Sequence, residues 1–231
     1  MSAETAYHGE RGEWFAARVT DNVYNAYTDR PAMLKLAGDV TGLRVLDVGC
    51  GAGNYAAELL DRGAAAVVGL EGSETLLSAA RARLGDTVEL HHHDLEQPFT
   101  FLRDESFDVA MMALVYHHID AREQLLAELR RVLKPGGLLL VSTTHPAADW
   151  SWFGGSYFDE ERVDARMGDR FTHSYWRITL ETFLGELLGA GFTLEQLVEP
   201  RATEEARHVD PRRFEKTHIT PFFLAVRLRR T

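Results

Sequence analysis

The chain is poor in most of the features that would assign it quickly. Of its 231 residues one is cysteine, Cys50, so no intramolecular disulfide can form, and that usage fits a reducing, cytoplasmic compartment. No run approaches the roughly 20 consecutive apolar residues of a membrane span. The opening segment, MSAETAYHGERGEW, lacks the apolar stretch of a secretory signal. Basic residues are outnumbered: 25 Lys and Arg against 35 Asp and Glu give a formal charge of −10. Nucleic-acid affinity comes largely from phosphate neutralisation by Lys and Arg, so this balance argues against nucleic acid as the main partner. Internal repeats and low-complexity tracts are missing. So is any Cys/His spacing of a structural zinc site.

What remains is an ordinary globular composition, 45% hydrophobic and 26% charged, at the length of one domain with additions. Residues 1–10 read as a loose polar terminus. Residues 12–37 carry Trp14, Phe15, Val19, Val23 and Tyr27 at roughly helical spacing, with Pro31 as a break. A strand–helix rhythm follows. Strands are predicted near 43–48, 65–70, 88–91, 107–112 and 138–142. Between them lie helices at 55–62, at 73–84 with Ser73 as N-cap and Gly85 as stop, and from a cap at Asp120 to Leu133, ended by Lys134-Pro-Gly-Gly137. The rhythm pauses over 145–176. It resumes with a helix at 180–188 and strands near 193–198 and 222–228. Apolar strands alternating with helices imply right-handed crossovers and a doubly wound α/β sheet.

The sharpest signal is Val45-Leu-Asp-Val-Gly49-Cys-Gly51-Ala-Gly53, where the first strand meets the first helix of the rhythm. Glycines there permit a tight turn and a close backbone approach to a ligand. The helix N-terminus behind them offers unpaired N–H groups. Glu71, 22 residues after Gly49, closes the next strand, where a carboxylate accepts both hydroxyls of a ribose. A nicotinamide cofactor would show a similar outline. However, the dinucleotide fingerprint needs Gly-x-Gly-x-x-Gly, and here Gly53 is followed by Asn54. Asp47, ahead of the first glycine, suits a cofactor with a cationic portion better than an anionic pyrophosphate.

From about Asn22 to Ser142 the chain resembles the class I S-adenosylmethionine-dependent methyltransferases of the small, type 11 kind. The resemblance rests on the Val45–Gly53 loop, on Glu71, on Asp94-Leu95, on Phe107–His118, and on the turn Leu133-Lys-Pro-Gly-Gly137. It implies a Rossmann-like, seven-stranded sheet with the last strand antiparallel. It also implies S-adenosylmethionine as cofactor: the methionine end near Asp47 and Gly49, the ribose at Glu71, the adenine near Asp94 and Leu95. Further cofactor contacts are expected at Tyr27, Gly51, Gly53, Asn54, Gly72, Ser73, Ala113 and Leu114. Tyr24-Asn-Ala-Tyr27 with Arg30-Pro31 is similar to the family's N-terminal helix, which folds over the cofactor.

His91–His93, His117–His118 and His145 all follow strands, but adjacent strand residues face opposite ways, so a metal site is not expected. His145, just past the fifth strand, is the first candidate for a base that takes a proton from the acceptor; His117 and Tyr24 are candidates to orient it. Cys50 reads as packing. The pairs Glu204-Glu205 and Arg212-Arg213 read as a solvated loop that enters the last strand near the site. Thirteen of the 23 aromatic residues, with all four tryptophans, fall in 1–30 and 145–176. Those segments either line an aromatic pocket or pack as a cap that has no core of its own.

The expectation is therefore one domain over 1–231: an N-terminal helical lid (1–40), a cofactor-binding core (41–144), a cap insertion (145–176) and the final helix and strands (177–231). Its expected activity is methyl transfer from S-adenosylmethionine to an O, N or C nucleophile of a small, aromatic organic substrate. An NAD(P)-dependent oxidoreductase and a cofactor-binding protein that does not methylate stay open as alternatives. No nucleic acid and no membrane are expected as partners, and a homodimer is left open.

Overall fold

The structure is a computed structural model that describes residues 7–168 and 170–231; the loose terminus expected over 1–10 falls outside it for residues 1–6. Gly9 already opens a helix, α1 (Gly9–Ala16). A π-helical turn at Asn25–Asp29 runs straight into α2 (Arg30–Ala37). Pro31 is therefore not a break: it sits in the first turn of α2, just past the π-helical turn, and the helical run continues through it.

The strand–helix rhythm then unfolds as β1 (Arg44–Val48), α3 (Asn54–Asp61), β2 (Ala66–Glu71), α4 (Glu74–Leu84), β3 (Glu89–His92), β4 (Phe107–Ala113), α5 (Arg122–Val132) and β5 (Leu133–Thr144). After it come α6 (Pro146–Phe153), the two-stranded ribbon β6 (Glu161–Met167) and β7 (Phe171–Arg177), α7 (Leu180–Gly189), β8 (Phe192–Val198), α8 (Ala206–Val209), α9 (Pro211–Ile219) and β9 (Phe223–Arg230). The main sheet has seven strands in the order β3-β2-β1-β4-β5-β9-β8. β1 to β5 pair in parallel, and β9, last in the chain, runs antiparallel to both β5 and β8.

Both faces of the sheet are covered, which is why its strands read as apolar runs. Alternation along β1 divides the core in two. Val45 packs with Met33, Leu36 and Leu59 of α2 and α3, whereas Leu46 and Val48 join Leu125, Leu129 and Phe183 of α5 and α7. The strand order reverses between β1 and β4, and the loops beyond their carboxyl ends open a crevice there.

Two local expectations change. Asp120 does not cap α5. The carboxylate of Glu96 accepts the N–H groups of Asp120 and Ala121 at 2.8 and 2.7 Å, and Asp120 instead receives Arg162 and the Trp176 indole, each at 2.6 Å. The Lys134-Pro-Gly-Gly137 turn lies within β5 as an irregularity. Pairing with β4 shifts between Phe107 and Val109, and Gly136 takes a φ of +75°.

Segment 145–176 holds α6 and nearly all of the ribbon. Asp149 ties them to the sheet, accepting from Thr144 at 2.7 Å and from the Tyr175 hydroxyl at 2.8 Å. Buried Arg177 closes the far side, donating to the Gly154 carbonyl at 2.8 Å and to Glu161 at 3.0 Å.

Candidate active site

The crevice at the β1/β4 reversal is a cavity of about 660 Å³. Its floor is the loop after β1. Gly49, Gly51 and Gly53 all adopt positive φ, at +73°, +56° and +76°. Gly49 is doubly constrained, because a Cβ there would come within 2.4 Å of a Val115 methyl; Gly51 looks into open space, a backbone surface that a side chain would fill. The N–H groups of Gly49 and Cys50 are tied to the Leu70 carbonyl at 2.8 and 2.9 Å. Glu71, buried at the end of β2, accepts from Gly51 N–H at 2.9 Å and from Ser73 N–H at 2.7 Å. Burial pushes its carboxyl up and those donors oppose the shift.

Four further groups beneath or beside the cavity have buried polar atoms unpaired: Asp47 (Oδ2), Asp29 (Oδ1), Arg30 (Nε) and His173 (Nδ1). Burial, then the nearby Glu71, raises Asp47 to about 7. Burial raises Asp29 to about 6, against a hydrogen bond of 2.5 Å from the Tyr55 hydroxyl. Arg30 donates to the Val19 carbonyl at 2.9 Å and leaves its Nε unpaired. Unpaired buried carboxylate and guanidinium atoms side by side suit a ligand end that is itself zwitterionic.

Of the sequence-predicted residues, the structure brings Tyr24, Gly49, Gly51, Asn54, Glu71, Gly72, Asp94, Leu95, Ala113, Leu114 and His117 to the cavity wall. Asp47 lies under the loop. Gly53 caps α3 and packs against Leu84, and Ser73 caps α4 through a 3.2 Å bond from Leu76 N–H. Neither lines the wall. Nor does Tyr27, which packs beside Ala202, Ala206 and Phe214. His145, the first candidate for the base, stands apart from the wall. Its Nδ1 accepts from Ala147 N–H at 3.1 Å as the N-cap of α6, and its Nε2 is 3.0 Å from Glu199. A histidine before a proline at a strand end has become a helix cap.

His117 is buried on the wall, with Nδ1 3.1 Å from the Thr143 hydroxyl. Burial holds its ring well below the usual histidine range, and the neighbouring His118 and His173 add to this; His118 itself is pushed down to about 3. These rings are neutral at pH 7. Such a ring orients a proton-bearing acceptor better than it deprotonates one. Cys50 is buried and its thiol is pushed up, as expected of a packing residue. No group of three or more His, Cys, Asp or Glu side chains suited to a metal exists among the described residues.

The aromatic residues of 1–30 supply the aromatic part of the roof, and its charged part lies outside what the sequence anticipates. Tyr7, Trp14 and Phe15 reach the cavity from α1 and its approach. Trp14 is wedged against Gly168, where a Cβ would lie 2.7 Å from its ring, and Tyr7 rings pack near His118 and His173. The cap's aromatics do not line the cavity; Trp152 and Phe158 are each 76% exposed. The cap contributes Arg162, Arg166, His173 and Ser174 instead, and α9 contributes Arg213, which the sequence presents as a solvated pair with Arg212. A single apolar or charged residue in an irregular segment carries no periodicity to mark it.

A seven-stranded sheet of this order, with a glycine loop, a ribose-type carboxylate and unpaired acids at its reversal point, defines an S-adenosylmethionine-dependent methyltransferase. The family description "Methyltransferase domain" matches residues 46–141. A probable S-adenosylmethionine-dependent methyltransferase of Mycolicibacterium smegmatis is 40% identical over 110 residues, which cover 47% of this chain and 41% of that protein. The chain thus spans less than half the length of that curated relative. The solved S-adenosylmethionine-dependent methyltransferase of Mesorhizobium loti is 28% identical with a TM-score of 0.69, over 87% of this chain and 96% of that one. A putative one from Listeria monocytogenes shares the fold at 21% identity and a TM-score of 0.76, over 88% of this chain and 96% of that one. Residues 46–141 match that methyltransferase family and the likeness to the Mesorhizobium loti structure extends over 87% of the chain; both point to S-adenosylmethionine rather than to nicotinamide chemistry. The chain's cofactor is S-adenosylmethionine, and the buried, unpaired atoms of Asp47, Asp29 and Arg30 with the open face of Gly51 fit a ligand that carries charges of both signs. No helix among the described residues is long and apolar enough to cross a membrane.

Proposed function

We propose that the chain transfers a methyl group to a small organic acceptor held over the glycine loop. S-adenosylmethionine supplies a methyl group already activated on a sulfonium. The protein's task is then alignment and removal of water. In this reading Glu71 accepts the ribose hydroxyls, Asp94 and Leu95 flank the adenine, and Asp47, Asp29 and Arg30 hold the methionine end. Tyr24 and His117 orient the acceptor. His145 takes no part in the chemistry. The observation that carries the reading is the set of buried, unpaired charged atoms at the β1/β4 reversal, a costly arrangement without a charged ligand to complete it.

The cavity volume is in the range of sites that enclose small molecules, and its roof of Trp14, Phe15 and Tyr24 supports an acceptor with a flat or apolar body. Calorimetry with S-adenosylhomocysteine tests the cofactor half, with tight binding expected. Mass spectrometry after incubation with S-adenosylmethionine and a panel of small phenols, amines and organic acids tests the transfer, with a gain of one methyl group expected. No heat and no thermal shift with either cofactor form would overturn the proposal.

A further inference from the structure

Charges of both signs line the cavity, and they differ in origin. Its carboxylates, Asp29, Glu71, Asp94 and Glu96, come from the loops of the sheet and from the turn into α2. Six arginines line it too, and all but Arg30 come from segments outside the strand–helix core: Arg11 and Arg18 near α1, Arg162 and Arg166 on β6, Arg213 on α9. That is six of the 25 basic residues in a chain of net charge −10. A cationic cofactor accounts for the carboxylates. It gives no reason for the arginines.

The arginines are not equivalent. Arg162 is committed to Asp120 at 2.6 Å and lies over the Trp176 ring. Arg18 lies over Trp14, 4.5 Å from its centroid. Arg30 is buried beside Asp29 and Tyr55, at the methionine end. Arg213 stands elsewhere. Along the sheet order, Glu71 marks the β2 end of the cavity, whereas Arg213 enters with Phe223 and Thr144 at the β5–β9 end, beyond the reversal point. Its guanidinium lies over the Tyr24 ring at 5.8 Å, and Tyr24 packs in turn on Phe222 and Phe223 at 5.0 and 6.4 Å. Its ion pair with Asp210 is long, 3.5 Å, and the other oxygen of Asp210 is occupied in capping α9. The guanidinium donates no hydrogen bond among the described residues, so the fork can take a planar or tetrahedral anion bidentately. Arg166, exposed on β6, reaches the same cavity and makes no ion pair among the described residues.

We propose that the methyl acceptor is a small organic acid, a carboxylate or a phosphate monoester on a flat body, and that Arg213 is its anchoring residue, with Arg166 a second cation of the same cavity. This rests on the methyl-transfer reading and adds the substrate class. The acid's charge is held at the β5–β9 end while its ring lies along Tyr24 and Phe223. The nucleophilic atom is thereby turned toward the glycine loop.

The test begins with the protein saturated with S-adenosylhomocysteine, whose own binding is measured first. If that ligand does not bind, the cofactor reading fails. If it binds, the acceptor is tested separately by calorimetry with benzoate, phenyl phosphate and benzamide. Both acids are expected to bind and benzamide to bind at least tenfold more weakly; the tighter acid tells carboxylate from phosphate. Arg213→Gln is expected to weaken the acids by about 10–100-fold with S-adenosylhomocysteine affinity and melting temperature unchanged, and Arg213→Lys to restore part of the loss. Arg166→Gln should show a smaller loss of the same sign. Benzamide binding as well as benzoate, no binding of either acid, or an unaffected Arg213→Gln overturns the proposal. So does a short single-stranded RNA that binds more tightly than both acids.

Discussion

The floor and the roof of the cavity are held by different forces. On the floor, positions close in sequence are fixed by backbone hydrogen bonds: Gly49 and Cys50 to Leu70, Gly51 and Ser73 to Glu71. On the roof, segments more than a hundred residues apart meet through rings and guanidinium groups, as where Trp14 meets Gly168 and Phe171 or Glu10 meets Arg170. A floor of this kind tolerates almost no change, because all three glycines serve conformation, and Gly49 and Gly53 serve clearance as well. A roof of this kind can exchange side chains without disturbing the sheet. Cofactor chemistry, common to the family, belongs on the first and acceptor recognition on the second.

Substitutions on each side test this contrast, and the largest effect is expected on the floor. Glu71→Ala removes a carboxylate that accepts from two loop N–H groups and faces the ribose position. S-adenosylhomocysteine affinity by calorimetry should fall more than about 100-fold. Gly49→Ala combines a disfavoured φ with a collision against Val115, and should cost about 3 kcal/mol in chemical denaturation; adding Val115→Ala should recover roughly half. If Gly49→Ala is neutral, the floor is more pliant than its geometry says. On the roof, Trp14→Ala should cost only about 1–2 kcal/mol of stability and leave the fold intact by circular dichroism, while raising the KM for the acceptor.

Acidity offers a further test. Asp47 and Asp29 have raised values, about 7 and about 6, so each is protonated more readily folded than unfolded. Stability without added ligand should therefore fall as pH climbs from about 4 towards 7, as these groups must ionise while buried. An ammonium group beside them favours the ionised forms, so S-adenosylhomocysteine, through the ammonium of its amino-acid end, should bind about tenfold more tightly at pH 7.5 than at pH 5.5. Affinity that is flat or falling over that window would remove both acids from the methionine end. The smallest effect belongs to His145. His145→Ala loses a helix cap and should lower stability by about 1 kcal/mol while kcat stays within about threefold of the parent.

The same division decides what the sequence reveals. The strands, the helices between them and the floor loop are legible because they obey local periodicities and a glycine spacing that few other purposes require. The ends of elements are less so: a Glu96 carboxylate reaching from another loop starts α5, where Asp120 looked sufficient. His145 misleads because a base and a helix cap need the same residue at the same strand end. The cap's aromatics mislead because their count says how much surface they can cover and nothing about its direction; the rings at 152 and 158 face outward. Arg213 and Arg166 stay hidden because their value lies in what stands opposite them, which no spacing along the chain records.

One turn near the N-terminus has a consequence of its own. Between Tyr24 and Arg30 the helix widens to the i→i+5 pattern, and Thr28 bonds back to the Val23 carbonyl five residues earlier at 2.8 Å. The extra residue acts as a phase shift. Tyr24, Asn25, Asp29 and Arg30 are presented to the cavity, and Met33, Leu34 and Ala37, a turn later, are delivered to the core. With an uninterrupted α-helical count the two stripes would fall out of step by about a quarter turn. Length here is information: a single deletion within 25–29 would misalign the binding face and the packing face of the helix while altering almost nothing in composition.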